Sequence, residues 1–181
     1  MSSDYPEAAM SPARLREKGM PYWEQLLSGG LFSGFSPIAS GTVGSAIAAL
    51  VYFIPGGSNP FILLFLAAAA FAVGMVLAGR AEKLLGPDPS FFTLDEFAGQ
   101  WLTLASPLIL HPEPLWPVFA FLCFRVFDIA KTWPANWFDR RGGALGIMAD
   151  DIVAAVYANI CAHLIWYALS LLQLVREFLS V

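Results

Sequence analysis

The stretch FILLFLAAAAFAVGMVLAG, residues 61–79, is 19 residues long, has no charged side chain and decides the class of fold. A second uncharged run, IVAAVYANICAHLIWYALSLLQLV, covers residues 152–175 and is 24 residues long. At about 1.5 Å of rise per residue, a helix of either length crosses a hydrocarbon layer roughly 30 Å thick. The sequence therefore predicts two membrane-spanning helices.

Three weaker apolar runs flank these spans. Residues 37–54 are diluted by glycine, serine and threonine, and residues 93–110 and 115–130 lie on either side of a proline-rich turn at 111–117. The last two are short for a full crossing, and they predict a helical hairpin whose charged base stays out of the lipid. Together the runs predict an all-α, membrane-embedded bundle of about five hydrophobic helices.

Composition excludes several other classes of protein. The 181 residues are 57% hydrophobic and only 13% charged, with a mean hydropathy of +0.63, whereas a soluble domain carries about a quarter charged residues. A net charge of −4 argues against a nucleic-acid partner. Cys123 and Cys161 lie in apolar runs without CxxC spacing, so we expect buried thiols rather than a disulfide framework or a zinc site.

The distribution of charge predicts the orientation of the chain. We expect residues 1–28 to form a mobile cytoplasmic tail or a surface helix, and residues 29–181 to form one membrane-embedded domain. With five alternating crossings and a cytoplasmic N-terminus, nine of the ten basic residues lie inside and only Arg176 lies outside. This asymmetry follows the positive-inside rule. Twelve of the fourteen acids fall on the same side, which that rule does not require.

The first polar segment on this side is GFSPIASGTVGS, residues 34–45, which leads into an apolar helix. Its small residues would let a phosphate approach backbone N–H groups at a helix start, with hydroxyl donors from Ser36, Ser40, Thr42 and Ser45. Small residues also allow membrane helices to pack closely. The sequence leaves both interpretations open.

The second segment is DPSFFTLDEFAGQ, residues 88–100. Thr93 and Glu96 have the spacing of a capping box, in which the glutamate only satisfies a backbone N–H group. Acids at a helix start are also favoured by the helix dipole. Neither explanation accounts for Asp88, Asp95 and Glu96 together beside a membrane-embedded helix.

The third segment comprises FRVFDIAK, residues 124–131, and DRRGGALGIMADD, residues 139–151. Arg125 and Asp128 are three residues apart, as are Asp128 and Lys131, so a simple ladder of ion pairs is one interpretation. Asp150 and Asp151 lie at the start of the last helix, where one of them could act as an N-cap.

Charge arithmetic on these segments favours a metal ion. They carry seven acids and four bases, a net charge of −3 beside a low-dielectric slab. Carboxylates in such a place either take up protons or recruit cations, and an all-oxygen ligand set suits Mg²⁺, or Mn²⁺ in its place. No cysteine or histidine lies nearby as a nucleophile, because His111 falls in the predicted outer turn and His163 in mid-helix. We expect Asn159 and His163 to form hydrogen bonds between helices.

In this order, the three segments resemble the phosphatidylglycerophosphatase A family of bacterial membrane enzymes. The resemblance covers roughly residues 29–158, and the residues that carry it are the 34–45 stretch, Leu94-Asp95-Glu96 with Gly99-Gln100, Arg125 with Phe127-Asp128 and Lys131, and Gly142-Gly143 through Gly146-Ile147-Met148 to Asp150-Asp151. It implies a family-specific all-α fold in the bacterial inner membrane. It also implies Mg²⁺-dependent removal of the phosphomonoester of phosphatidylglycerophosphate, giving phosphatidylglycerol.

Each polar residue then has an expected role. The best candidates for metal ligands are Asp95, Glu96, Asp150 and Asp151. Asp88, Asp128 and Asp139 are second choices, any of which could instead orient the attacking water. Lys131 and Arg125 would bind phosphate oxygens. The remaining candidates for substrate binding are Ser36, Ser40, Thr42, Ser45, Asp139 and Arg141. Direct attack by water is preferred to a phospho-aspartate because the chain has no DxDxT sequence.

A different class of function is a small transporter or channel subunit with an acidic cation site on the cytoplasmic side. Such a path needs polar residues through the full depth of the membrane, and residues 61–79 offer none. The expected partners are therefore a phospholipid substrate and the membrane itself, and the sequence is compatible with an oligomer.

Overall fold

The computed structural model describes residues 11–106 and 113–180, and every regular element within these ranges is helical. Single helical turns at Ser33–Phe35 and Leu50–Phe53 flank the third α-helix. The α-helices are α1 Pro12–Glu17, α2 Tyr22–Ser28, α3 Ser40–Ala49, α4 Pro60–Leu85, α5 Leu94–Leu104, α6 Trp116–Ala130, α7 Ala135–Arg141 and α8 Gly143–Leu179.

Helix α5 lies at the centre of the bundle and contacts α3, α4, α6 and α8. The five longer helices alternate in direction, so that α3, α5 and α8 begin at the end where α4 and α6 finish. This alternation follows from short connections between packed antiparallel helices. It places three helix starts and two helix ends on one surface of the molecule.

Among the described residues, two helices rather than five are long and apolar enough to cross a membrane: α4 with 26 residues and α8 with 37. The predicted bundle of about five hydrophobic helices in alternating crossings is therefore wrong in the number of spans. Helices α3, α5 and α6 have 10, 11 and 15 residues. Even 15 residues rise only about 22 Å, less than the roughly 30 Å of hydrocarbon. The apolar runs continue past these helix ends, for example into the turn Leu50–Phe53 and the extended Ala105.

The two long helices direct most of their apolar surface outward. Only 33% of the most apolar window of α4 and 28% of that of α8 is buried inside the protein. On α4, the side chains of Phe61 and Phe65 are largely exposed. A core helix of a soluble protein would bury most of such a window, so this outer surface is suited to a lipid environment.

The described part of the predicted N-terminal tail is folded against the bundle. Leu15 and Met20, from α1 and the turn after it, are fully buried in the same apolar cluster as Ala78 and Phe91. Glu24 of α2 is buried and lies 3.0 Å from the Arg80 guanidinium of α4. The first ten residues lie outside the described part, as do His111 and Pro112 of the predicted outer turn.

Hydrogen bonds from α8 tie the opposite end of the bundle together, as the sequence predicts for Asn159 and His163. The Asn159 Nδ2 group donates to the carbonyl groups of Leu102, Thr103 and Ala105 at 3.3, 2.9 and 2.9 Å. His163 Nε2 lies 2.6 Å from the Ser106 hydroxyl. The Asn159 amide thereby satisfies carbonyl groups at the end of α5, which have no partners within their own helix.

Replacing Asn159 by alanine removes the donor for these carbonyls. We expect the Asn159→Ala variant to lose about 1–2 kcal/mol of unfolding free energy. Its midpoint of thermal unfolding in detergent would fall by about 2–6 °C. The control is Ser170→Ala on the same helix, because that hydroxyl bonds only to its own helix, at the Trp166 carbonyl. Equal unfolding temperatures for Asn159→Ala and the unaltered protein would contradict this role.

Candidate functional site

A pocket of about 240 Å³ opens at the end where α3, α5 and α8 begin. All seven acids that the sequence singles out line it, although they come from distant parts of the chain, and Lys131 lines it as well. The predicted gathering of acids at one end of the bundle is thereby confirmed. The seven are Asp88, Asp95, Glu96, Asp128, Asp139, Asp150 and Asp151.

Three of these acids form a tighter group, which we call the carboxylate triad: Glu96 from α5, Asp128 from α6 and Asp151 from α8. One oxygen from each lies within 4.8 Å of the others, and all three residues are buried. The Asp151 Oδ2 atom is buried and has no hydrogen-bond partner among the residues that the structure describes. A buried carboxylate oxygen without a donor is costly, so this arrangement can hold a divalent cation through oxygen ligands.

Glu96 is held in the triad by two donors from neighbouring helices. The Ser45 hydroxyl of α3 donates to Glu96 Oε2 at 2.7 Å, and Arg125 forms an ion pair with the same oxygen. Gly41 permits this approach, since a Cβ atom there would lie 2.0 Å from Glu96 Oε1. The small residues of α3 therefore set the position of the glutamate.

Arg125 is the positively charged side chain that contacts the carboxylate triad. Its Nη2 lies 3.0 Å from Asp128 Oδ2, which confirms the predicted pairing three residues apart on α6, and its Nη1 donates to the Ser45 hydroxyl at 3.1 Å. One guanidinium faces three carboxylates, so the group remains negatively charged when all are ionised. Because it is occupied by Glu96 and Asp128, Arg125 does not line the pocket as the predicted phosphate ligand would.

The capping-box interpretation of Thr93 and Glu96 is wrong. Thr93 makes no side-chain cap at the start of α5, and its hydroxyl instead lies 2.9 Å from that of Ser33. Asp95 Oδ1 accepts a hydrogen bond from the Glu96 N–H at 2.9 Å. The glutamate is thus free to point at Arg125 rather than back at the helix start.

The two carboxyl groups at the start of α5, those of Asp95 and Glu96, both have raised pKa values. Burial, followed by the charge of Glu96, raises the pKa of Asp95 well above its ordinary value. Burial and then the charge of Asp128 raise the pKa of Glu96, although Arg125 and Ser45 oppose the shift. In both cases burial is the larger cause and the neighbouring carboxylate adds to it.

Lys131 connects α6 to the helices that follow it. It ends α6 in the left-handed conformation at φ 43°, and its ammonium forms ion pairs with Asp139 and, at 2.7 Å, with Asp150 Oδ2. Burial lowers the pKa of the Lys131 ammonium, but these two hydrogen bonds raise it by more, so its net pKa lies above the ordinary value. The turn after α6 therefore directs Lys131 away from Asp128, its partner in the predicted ladder.

The remaining predicted ligands line the pocket outside the triad. Asp95 and Asp150 neighbour triad members in the sequence, and Asp88 lies at the exposed rim. Asp128 is in the triad although the sequence ranks it second. Adjacent residues on a helix point about 100° apart, so only one member of each Asp-Glu or Asp-Asp pair can face the same point.

The predicted substrate-binding residues divide between the pocket and its surroundings. Ser40 lines the pocket and donates to the Ser90 carbonyl at 2.8 Å, and Asp139 also lines it. The other predicted substrate-binding residues, apart from Lys131, do not line it: Ser36, Thr42, Ser45, Arg125 and Arg141. Ser36 donates to the Ile38 carbonyl, while Ser45 and Arg125 lie behind the glutamate.

Close packing accounts for much of the glycine-rich segment. A Cβ atom at Gly34 would lie 1.9 Å from the Phe91 carbonyl oxygen, and one at Gly44 would lie 3.1 Å from the Ser33 hydroxyl. The packing interpretation is therefore supported for these two glycines, and Ser40 and Gly41 are the residues of the segment that line the pocket.

One contact that sequence reasoning misses lies between α5 and the triad. A Cβ atom at Gly99 would come within 2.5 Å of the Phe124 ring and 3.1 Å of the Asp151 carbonyl oxygen. Gly99 thus allows α5 and α8 to approach, which brings Glu96 and Asp151 together. Its position three residues after Glu96 was the available signal, but a glycine alone does not show which helix it contacts.

The sequence is similar to those of known phosphatases. A sequence profile described as phosphatidylglycerophosphatase A matches residues 26–166. A phosphatidylglycerophosphatase A of Escherichia coli is 36% identical over 150 residues, covering 80% of this chain and 83% of the relative. That of Haemophilus influenzae is 34% identical over 145 residues, covering 78% of this chain and 88% of the relative.

A third relative has a different name. A protein of Bacteroides thetaiotaomicron, provisionally named a phosphatidylinositol-3-phosphatase, is 35% identical over 144 residues, which is 75% of this chain and 88% of the relative. No solved structure matches the chain. The profile match spans the range in which all seven pocket acids lie, and the relatives are 34–36% identical over 75–80% of this chain, so this chain belongs to the phosphatidylglycerophosphatase A family of phosphatases.

Proposed function

We propose that the protein hydrolyses the terminal phosphomonoester of phosphatidylglycerophosphate to phosphatidylglycerol and phosphate, with a divalent cation, Mg²⁺ or Mn²⁺, held by the carboxylate triad. The observation that carries the proposal is the convergence of Glu96, Asp128 and Asp151 from three helices to within 4.8 Å. The family supplies the reaction class, and the pocket supplies the groups that this reaction needs.

The triad fits a hard divalent cation. Its donors are all carboxylate oxygens, the set that Mg²⁺ and Mn²⁺ prefer. One of them, Asp151 Oδ2, is buried and has no hydrogen-bond partner within the described part of the chain. When bound, the cation would neutralise phosphate charge and lower the pKa of a water. Without it, the acidic pocket would repel a phosphomonoester, which carries about −1.5 to −2 charge near neutral pH.

The other pocket residues have roles that follow from their positions. Asp95 lines the pocket beside Glu96 and uses Oδ1 for the backbone hydrogen bond, which leaves Oδ2 to orient the attacking water and take its proton. Arg125 keeps Glu96 and Asp128 in place rather than touching the phosphate. No cysteine or histidine of the described part of the chain lines the pocket, so attack by water is the direct route.

Lys131 is the residue that would bind the phosphate. Its ammonium carries three N–H groups, and Asp139 and Asp150 accept two of them. The third can donate to a phosphate oxygen in the pocket, where positive charge offsets the charge that develops on the leaving group. Asp139 and Asp150 thereby hold Lys131 at the pocket, and Asp88 and Ser40 border the opening.

Two substrates are suggested by the names of the relatives. Two relatives are named for phosphatidylglycerophosphate and one for a phosphoinositide, and both are phosphomonoesters on lipid head groups. The matched profile and two of the three relatives are named for phosphatidylglycerophosphate. This comparison favours phosphatidylglycerophosphate.

The exposed apolar surfaces of α4 and α8 support location in a membrane, and we propose the bacterial inner membrane with the pocket facing the cytoplasm. The pocket end carries nine of the ten basic residues, because the N-terminal helices also pack there, and Arg176 lies at the far end of α8. The positive-inside rule places such an end in the cytoplasm.

The structure does not favour the transporter alternative. Polar groups of α8 deep in the bundle, Asn159 and His163, are engaged by α5 and Ser106 rather than lining a path. An ion pathway would need polar side chains through the full depth of the membrane.

The reaction itself can be tested with purified protein and three lipids. We expect phosphate release from phosphatidylglycerophosphate to exceed release from phosphatidic acid and from phosphatidylinositol 3-phosphate. EDTA should abolish it, and Mg²⁺ or Mn²⁺ should restore it, because the triad needs a cation. Full activity in EDTA would contradict the metal role, and a preference for either other lipid would contradict the substrate.

The triad can be tested through Asp151. Replacing it by asparagine keeps the shape and removes a ligand charge, so kcat should fall at least about 100-fold and bound Mn²⁺ should be lost, since a cation supplies several kcal/mol of charge stabilisation. Mn²⁺ binding is measured by electron paramagnetic resonance. Glu177→Gln, an exposed acid at the far end of α8, is the control. Unchanged Mn²⁺ binding by Asp151→Asn would exclude Asp151 as a ligand.

Gly41 offers a test of how precisely Glu96 must be placed. In Gly41→Ala the new methyl group would overlap Glu96 Oε1, at 2.0 Å, and we expect kcat to fall about tenfold or more with the helical content unchanged. Gly79→Ala is the matched control, because its Cβ meets only Ala144 at an ordinary 3.8 Å. Equal activity of the two variants would show that the position of Glu96 is not critical.

A further inference from the structure

Helix α7 forms one wall of the pocket and presents a different face to the outside. Asp139 lines the pocket, whereas Trp137 and Arg141, each two residues away from it, lie on the opposite side of the helix. Trp137 is 50% exposed, and the Arg141 guanidinium lies over its ring at 5.3 Å from the centroid. Trp133, four residues before Trp137, is 74% exposed.

The outer face of α7 lies along α8 and extends from the apolar part of the bundle to its polar end. The Trp133 carbonyl accepts a hydrogen bond from the Tyr157 hydroxyl at 3.1 Å, and Tyr157 lies beyond the triad in the uncharged run of α8. At the C-terminal end of α7, the Arg141 carbonyl carbon would lie 3.7 Å from a Cβ atom at Gly146, near the start of α8. The two tryptophans are therefore the deeper part of the face, and Arg141 is at its polar edge.

The charge of this face is opposite to that of the pocket. Arg140 and Arg141 are both exposed, and among the residues that the structure describes neither has an ion-pair partner. The pocket behind them is lined by seven acids and one lysine. An anionic lipid that approaches the pocket would therefore be attracted at this edge before it meets the acids.

We propose that Trp133, Trp137 and Arg141 form a docking strip for an anionic glycerophospholipid of the bilayer, which delivers its head group to the pocket across α7. The indole rings pack against the acyl and glycerol region, as tryptophans do at a membrane interface. The guanidinium, held flat on Trp137, donates to the lipid phosphodiester. This proposal rests on the proposed function for the identity of the delivered lipid, and it adds a second lipid contact outside the pocket.

A binding measurement tests the strip without any turnover. The protein is placed in phosphatidylcholine nanodiscs that contain a minor fraction of lipid with brominated chains, either phosphatidylglycerol or phosphatidylcholine. We expect brominated phosphatidylglycerol to quench tryptophan fluorescence more strongly, and the difference to disappear in Trp133→Phe/Trp137→Phe and in Arg141→Gln. Equal quenching by the two brominated lipids in the unaltered protein would overturn the proposal.

A kinetic measurement separates docking from chemistry. In proteoliposomes, Arg141→Gln should raise KM for phosphatidylglycerophosphate about tenfold, the value of one charge-assisted phosphate contact, with the change carried by KM rather than kcat. The matched control is Arg176→Gln, an exposed arginine at the far end of α8. A fall in kcat with KM unchanged would place Arg141 in the pocket chemistry and overturn the strip. Selective quenching in a protein that releases no phosphate would leave the strip standing and remove the proposed function.

Discussion

The balance between the carboxylate triad and Arg125 is the constraint on which the rest of the structure depends. Three acids that come from α5, α6 and α8 lie within 4.8 Å, and one guanidinium between Glu96 and Asp128 compensates only part of their charge. Such a group is unfavourable in an apolar surrounding unless further positive charge is present. A bound cation, or a proton taken up by one of the acids, would supply that charge.

Small residues at the pocket end of the bundle and a hydrogen-bonding side chain at the opposite end hold these helices in position. At the pocket end, Gly41 and Gly99 allow α3 and α8 to approach α5. At the opposite end, Asn159 satisfies the carbonyl groups that α5 leaves free. Because α5 is only 11 residues long, the pocket and this anchor lie within a few helical turns of each other.

Much of the site could be predicted from the sequence, because helix caps and a ladder of ion pairs do not account for seven acids beside apolar runs. The two long spans were also predictable from their lengths, and among the described helices α4 and α8 are long and apolar enough to cross a membrane. The number of full crossings was not, since an apolar run does not show where its helix stops. Which acid of each adjacent pair faces the triad depends on helix rotation, so Glu96 and Asp151 could not be separated from Asp95 and Asp150. Lys131 leaves α6 in a left-handed turn, which no spacing rule predicts.

The central claim is that the carboxylate triad binds the cation used in hydrolysis. The most direct test is a crystal structure of the active protein grown with Mn²⁺, in which anomalous scattering locates the ion. We expect an ion with oxygen atoms of Glu96, Asp128 and Asp151 within about 2.3 Å. An ion bound elsewhere in the pocket, with these three carboxylates making no contact to it, would exclude the triad as the metal site.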